Sequence, residues 1–376
     1  MCGLLGIGIP VVTSAAYPIQ SKNNPPKKVI IIGAGAAGLT AAHLLHQAGV
    51  EVQVLEANTN YGGRMKRITE FADFPIPVGA EWLHVKRTIF DEIINDSNTK
   101  VGIQTTPYNF EEDKALLGEE KVSLKKLGFS IDQKFINSTW FDFFEQYVIP
   151  GIKSKILLNE VVKSIDYSSN QLKIQTQTAS YDADKVIITV PVKLLQNDAI
   201  QFLPSLPQKK LDAIKNVTVW DGCKAFIQFS EKFYPTVIGF NTEPKTAGHK
   251  LYYDAAYGQK TAQNILGLFA VGQVSAPYLK RSGDDLINYV LAELDERFNG
   301  KASKAYIKHI FQNWTEEPYA QGAYVQYFES RNNIKKLGKS VDDKLFFAGD
   351  AYTNGFGWSS VHAAAKAAKR VVEKLI

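Results

Sequence analysis

One stretch constrains this chain more than any other: KKVIIIGAGAAGLTAAHLL, running from Lys27 to Leu45. Four apolar β-formers, Val29 to Ile32, lead into a turn carrying Gly33, Gly35 and Gly38 in the G-x-G-x-x-G spacing, with Ala36 and Ala37 between, and an Ala/Leu-rich helical run leads out. Glycine-rich turns are common, but one placed between a buried strand and a helix start sits where a dinucleotide fingerprint must sit. Gly33 permits the tight turn, Gly35 lets backbone approach a pyrophosphate, and Gly38 lets helix and strand pack closely. The helix start then offers free N–H groups and partial positive charge to the phosphates. The next strand, VEVQVLEAN, ends at Glu56, eighteen residues past Gly38. That is near the ~20 expected of the carboxylate that accepts from ribose hydroxyls, and an acid there argues against a 2′-phosphate. The ligand is therefore an adenine dinucleotide with a free ribose, and at this point NAD and FAD both satisfy the pattern.

Topology separates the two. Near the other end, KLFFAGDA reads as a short buried strand ending in Gly349-Asp350, and Trp358 to Ile376 as an Ala-rich helix. NAD dehydrogenases usually complete their nucleotide domain as one contiguous block of paired halves, whereas here one half opens the chain and a strand–GD–helix closes it. That closing unit suits a flavin: an acid near the ribityl and pyrophosphate, and a helix N-terminus aimed at the isoalloxazine, where its dipole favours the charge gained on reduction. The expected fold is α/β, with a Rossmann-like (glutathione-reductase-type) FAD-binding domain built from both chain ends and an α+β substrate domain of mixed sheet and helices. The expected division gives residues 27–85, 155–222 and 335–376 to the first and 86–154 with 223–334 to the second. Within these, RTIFDEIINDS and residues 284–298 read as helices, and the run from Ile156 to Val192 as antiparallel strands followed by a returning buried strand.

The first 26 residues differ in kind. An apolar run broken by Gly and Pro, then SKNNPP, resembles the apolar core and cleavage zone of an export signal that lacks its basic start. The expectation is a leader-like tail and linker, with export to the periplasm; the alternative is a cytoplasmic protein. Elsewhere no run is long and apolar enough for a stable membrane span. A net charge of +5 is scattered among acids, so nucleic acid is not an expected partner. Two cysteines, Cys2 and Cys223, give no disulfide framework or C-x-x-C, and six histidines show no metal-ligand spacing. No metal is expected.

In their order, these motifs resemble the FAD-dependent amine oxidase superfamily, which includes monoamine and polyamine oxidases. The resemblance spans nearly all of Lys27 to Ile376. It rests on GAGAAG, Glu56, the GGR of Gly62, Gly63 and Arg64, GAEW from Gly79 to Trp82, NEVVKSI, and FAGD with the closing helix. It implies that Gly63 and Arg64 lie near the FAD pyrophosphate and that Gly79, Ala80, Glu81 and Trp82 pass along the flavin. Val162 would meet adenine through its backbone, while Gly349, Asp350 and Ser359 bind from the closing unit. DGCKAFIQFSEKFY is similar to the family strand whose lysine holds a water beside flavin N5, which places Lys224 there. Tyr324 would be one aromatic wall facing the flavin, with Trp82 and Trp358 as further walls. Ala323 stands where monoamine oxidases carry the cysteine that bonds FAD, so non-covalent FAD is expected. The second aromatic of the family's cage falls on Ser360 or Val361, neither of them aromatic.

The resulting expectation is an FAD-dependent oxidoreductase that oxidises a small-molecule amine by hydride transfer to flavin N5, giving an imine, with O2 reoxidising the flavin to yield hydrogen peroxide. Lys224, Tyr324, Trp82 and Trp358 carry the chemistry. His84, Arg87 and the tyrosines of YYDAAYG are secondary candidates for the cavity. Two alternatives stand beside it: a desaturase or protoporphyrinogen-oxidase-like flavoenzyme, and a catalytically idle FAD-binding partner protein.

Overall fold

A computed structural model describes residues 25–110, 113–129, 131–353, 355 and 357–376. The leader-like segment falls almost wholly outside the described residues. Both chain ends meet in one five-stranded parallel sheet, in the order Leu345–Phe347, Lys185–Ile188, Lys28–Ile32, Glu51–Leu55, Ile156–Leu157. These strands are nearly continuous Val, Ile, Leu and Phe because a parallel sheet is covered on both faces. On one face lie the first helix, Ala36–Gln47, and the closing helix, Val361–Leu375, packed together through Ala41, Ala42, Leu45, Ala364, Ala368 and Val372. Small residues on both helices allow that close approach. The other face buries Ile30, Ile32, Val186 and Ile188 under a four-stranded sheet from the segment between residues 162 and 203.

The second body is a seven-stranded sheet, in the order Tyr306–Asn313, Gly222–Phe229, Asn264–Gly272, Gly248–Asp254, Val237–Gly239, Ala115–Leu117, Glu120–Val122. All its pairings are antiparallel except that of Val237–Gly239 with Ala115–Leu117, so the sheet is mixed. The helix Gly283–Phe298 covers its outer face through Leu286, Val290 and Leu294.

Residues 86–154, expected on the substrate side, divide instead. Ala115–Leu117 and Glu120–Val122 join the seven-stranded sheet. The helices Thr88–Ile94, Trp140–Tyr147 and Ile149–Ile152 bury Phe90, Phe143, Ile149 and Ile152 in the same core as the first and closing helices. Their apolar faces continue the hydrophobic layer over the parallel sheet, which is where the energy of burial sends them. The closing helix also starts three residues later than expected, at Val361, because the Ser360 hydroxyl caps it by accepting from Ala363 N–H. Among the described residues, no helix is long and apolar enough to cross a membrane.

Candidate active site

The glycine turn is built from backbone. Gly33 has φ +102°, and a Cβ placed on Gly38 would lie 1.9 Å from the Gly33 carbonyl oxygen, so helix and strand touch with no room for a side chain. Gly35 occupies the N-cap of Ala36–Gln47 without any side-chain cap, and a Cβ there would meet nothing within 4 Å. Its face and the helix N–H groups therefore open into a cavity of about 1280 Å³, larger than most small-molecule sites.

At the end of the second strand, Glu56 is buried and lines the same cavity. Its Oε2 accepts from Ala34 N–H at 2.6 Å and its Oε1 from Asn58 N–H at 2.9 Å. Burial raises the pKa of this carboxyl, and the backbone donors pull the other way. Arg64 crosses the cleft: its guanidinium donates to Asp350 at 2.6 Å and to the Ala323 carbonyl at 2.5 Å. One arginine thus joins the GGR turn to the strand–GD–helix and to the segment carrying Tyr324. Val162, Gly63, Gly79, Ala80, Gly349, Asp350 and Ser359 also line the cavity, together with Ser360 and Val361 at the start of the closing helix. The Ser359 hydroxyl is occupied, donating to Val325 O at 2.6 Å. Gly38 supports the turn from behind and does not reach the cavity wall. An uncapped helix start beside glycine, a buried carboxylate at the second strand end and a long cleft between the two chain ends suit FAD.

The opposite wall is built from side chains. Lys224 lies on Gly222–Phe229, 3% exposed, and donates to Pro77 O at 2.8 Å, Gly79 O at 3.1 Å and Glu81 Oε2 at 2.5 Å. The other Glu81 oxygen takes Lys134, and the Tyr253 hydroxyl donates to Oε2 as well. All four side chains are buried. Burial alone would raise the Glu81 carboxyl, but the two ammonium groups outweigh it and the pKa is lowered. Lys224 falls to about 8, chiefly through burial, with Glu81 opposing and Lys134 reinforcing the drop. Glu81, expected to bind cofactor, therefore spends its carboxylate on two lysines and a tyrosine. Nothing in its motif distinguishes the two roles. Lys134 and Tyr253 come from strands Gln133–Ile136 and Gly248–Asp254, far off in sequence.

Aromatic rings flank this cluster. Trp82 donates its indole N–H to the Tyr108 hydroxyl at 2.9 Å and lies 4.8 Å, centroid to centroid, from Tyr253. Tyr324 faces Phe269 with rings 6.5 Å apart and 14° from parallel, and both line the cavity. Phe269 was not among the expected walls. Trp358 was, and the structure puts it elsewhere. Its indole N–H donates to Gln326 O at 2.9 Å, its ring packs on the core beneath the parallel sheet, and it does not line the cavity. Cys223 lines the cavity, but burial pushes its thiol up to about 12, so it is held as the thiol.

Further along the cavity, His84 Nδ1 and Asp132 Oδ1 are 2.8 Å apart, and the His362 ring lies 6.4 Å from that of His84. Burial, His84 and Lys366 bring His362 down to about 4. His249 stacks at 5.7 Å on Tyr327 and is lowered to about 4 by burial. Arg87, exposed, donates to Thr105 Oγ1 at 3.3 Å, and of the tyrosine run Tyr252 is sealed behind the sheet against Glu293.

A dinucleotide cleft closed by both chain ends, joined to an aromatic chamber on a second sheet, defines a two-body flavoprotein oxidoreductase. The chain belongs to the flavin-containing amine oxidoreductases, matching that family over residues 151–376, with an NAD(P)-binding Rossmann-like domain matched over residues 31–93. Its cofactor is FAD. Among its relatives are lysine-specific histone demethylase 1B of Mus musculus, 23% identical across 94% of this chain and 53% of the relative, and probable polyamine oxidase 4 of Arabidopsis thaliana, 25% identical across 89% of this chain and 84% of that one. The chain thus spans about half the length of the demethylases it matches. In fold it is similar to a putrescine oxidase solved with bound putrescine, with a TM-score of 0.73 at 16% identity, covering 93% of this chain and 98% of that structure.

Proposed function

We propose that this chain is an amine oxidase whose substrate is an aliphatic amine bearing a second ammonium group. One observation carries the reading: the nucleotide-side carboxylate, Glu56, and the buried lysine of the aromatic wall, Lys224, border the same cavity. Gly35, Glu56 and Arg64 line the part of the cavity that would hold FAD. The bound flavin would supply a two-electron acceptor for the α-hydride of the neutral amine, the amine's N–H proton and the hydride leaving together on dioxygen as hydrogen peroxide. The substrate is left as an imine, which water hydrolyses. The chain's own part is placement. Tyr324, Phe269 and Trp82 exclude water from the reacting carbon and orient it, the effect that converts encounter into reaction. Lys224 holds its proton at the cavity wall by donating to the Glu81 carboxylate. Asp132, a carboxylate beside His84 in an otherwise aromatic stretch of the cavity, suits a distal ammonium. The polyamine oxidase and putrescine oxidase relatives support this substrate class.

The test is anaerobic mixing of the holoenzyme with monoamines, diamines and triamines of matched chain length, following the visible flavin band. Diamines and triamines should bleach it at lower concentration than monoamines. Bleaching by no amine overturns the reading. Equal half-saturation for monoamine and diamine removes Asp132 from substrate recognition.

A further inference from the structure

Two ammonium groups share one carboxylate behind the aromatic wall, and only one of them belongs to the lysine expected at the flavin. The geometry is strict. Lys224 holds one oxygen of Glu81 and Lys134 the other, with Tyr253 donating to the Lys224 side. No other carboxylate meets either ammonium among the described residues. The cluster therefore carries an excess of positive charge almost wholly withdrawn from water, an arrangement that costs desolvation energy. Glu81 cannot pair fully with Lys224 while Lys134 holds it.

We propose that Lys134 is a positioning residue for Lys224, acting through Glu81: by claiming half of the carboxylate it fixes the Lys224 ammonium at the cavity wall and sets the pH at which that ammonium gives up its proton. The other groups around Lys224 leave the control to this pair. The segment from Pro77 to Glu81 contributes two carbonyl oxygens and the carboxylate. Strand Gly248–Asp254 contributes Tyr253, and Tyr108 stands behind Trp82; both hydroxyls have pKa values raised by burial and stay protonated. The strands on either side set Phe269 and Gln312 opposite Lys224, and neither titrates. The lowering of Lys224 to about 8, with Lys134 among its causes, agrees in direction.

The inference rests on reading Lys224 as a group that faces the reacting amine, and its test is independent of turnover. In holoenzyme carrying 13Cε-labelled lysine, the Lys224 resonance is assigned by its loss in Lys224→Arg and titrated. Lys134→Met should raise its midpoint by about one pH unit or more, because a like charge is lost and the whole carboxylate is gained. Lys134→Gln, which keeps a donor to Glu81 without the charge, should raise it in the same direction and serves if the methionine variant does not fold. Lys134→Arg should leave it at the wild-type value. The pH limb of flavin reduction by amine should follow the same shifts. A Lys224 midpoint unmoved in Lys134→Gln overturns the inference and leaves Lys134 a structural ion-pair partner. If no amine reduces the FAD, the proposed function fails while the titration still decides this point.

Discussion

The two walls of the cavity are made by different means. On the nucleotide side the working groups are mostly backbone: an uncapped helix start, two glycines in contact and a carboxylate whose oxygens are held by N–H groups of its own turn. On the amine side they are side chains brought together from four separate segments, carrying Glu81 with Trp82, Lys134, Lys224 and Tyr253. A backbone cradle needs only local spacing and tolerates the loss of a side chain. A wall of buried ions depends above all on Glu81, because removing that carboxylate leaves two charges without a partner.

The sharpest way to break this contrast is Glu81→Leu. It strands two buried ammonium groups in an apolar interior, and the expected cost is about 3–5 kcal/mol of folding stability, read from urea denaturation of the wild-type and variant holoenzymes. A loss below about 1 kcal/mol would mean that water reaches the cluster and that this wall is as forgiving as the other. Glu56→Ala tests the opposite side. The fold should survive with a cooperative transition, while FAD affinity falls by about 10–150-fold, the equivalent of roughly 1.5–3 kcal/mol for a charge-assisted hydrogen bond to the ribose. Equilibrium dialysis of FAD against both proteins gives the ratio. Undiminished affinity would show that the carboxylate serves only the turn, through Ala34 and Asn58.

That division explains what could be read from the chain alone. Gly33, Gly35, Gly38 and Glu56 were legible because the dinucleotide turn is written in residues at fixed short offsets, and the closing strand–GD–helix is likewise local. A mixed sheet was expected for the second body, but not its seven strands or their order. The amine wall was legible only in part. Lys224 stood out as a lysine in an apolar strand, but its partners lie 53 to 172 residues from one another along the chain, and Lys134, in QKFI, gives no signal beyond a lysine beside a buried phenylalanine. Glu81 was assigned by motif to the cofactor because a motif names a position and not the direction of its side chain. Trp358 failed for the same reason: the positive φ of Ser359 and the bond to Gln326 turn its ring toward the core. Phe269 puts a ring beside Tyr324 in the cavity, from a strand no pattern linked to Tyr324.

The smallest expected effect separates the walls by pH. His249 sits among the rings of Trp220, Phe269 and Tyr327, and its pKa is lowered by burial to about 4 from the ordinary 6.5. The unfolded chain takes up this proton near pH 6.5 while the folded chain resists until about 4, so stability contributed by the neutral ring is complete at neutral pH and is lost as pH falls through that window. Between about pH 7 and about pH 5.5 the His249 contribution should fall by about 1 kcal/mol. His249→Phe, which keeps a ring in the stack and removes the titration, should flatten the wild-type decline in urea midpoint by that amount. An identical decline in the variant would place the acid sensitivity elsewhere, with His362 at the start of the closing helix the next group to test, because it too is held neutral to about 4. The amine chamber would then be dry at Lys224 but open to protons at its aromatic end, and the contrast between the two walls would lie within the second one.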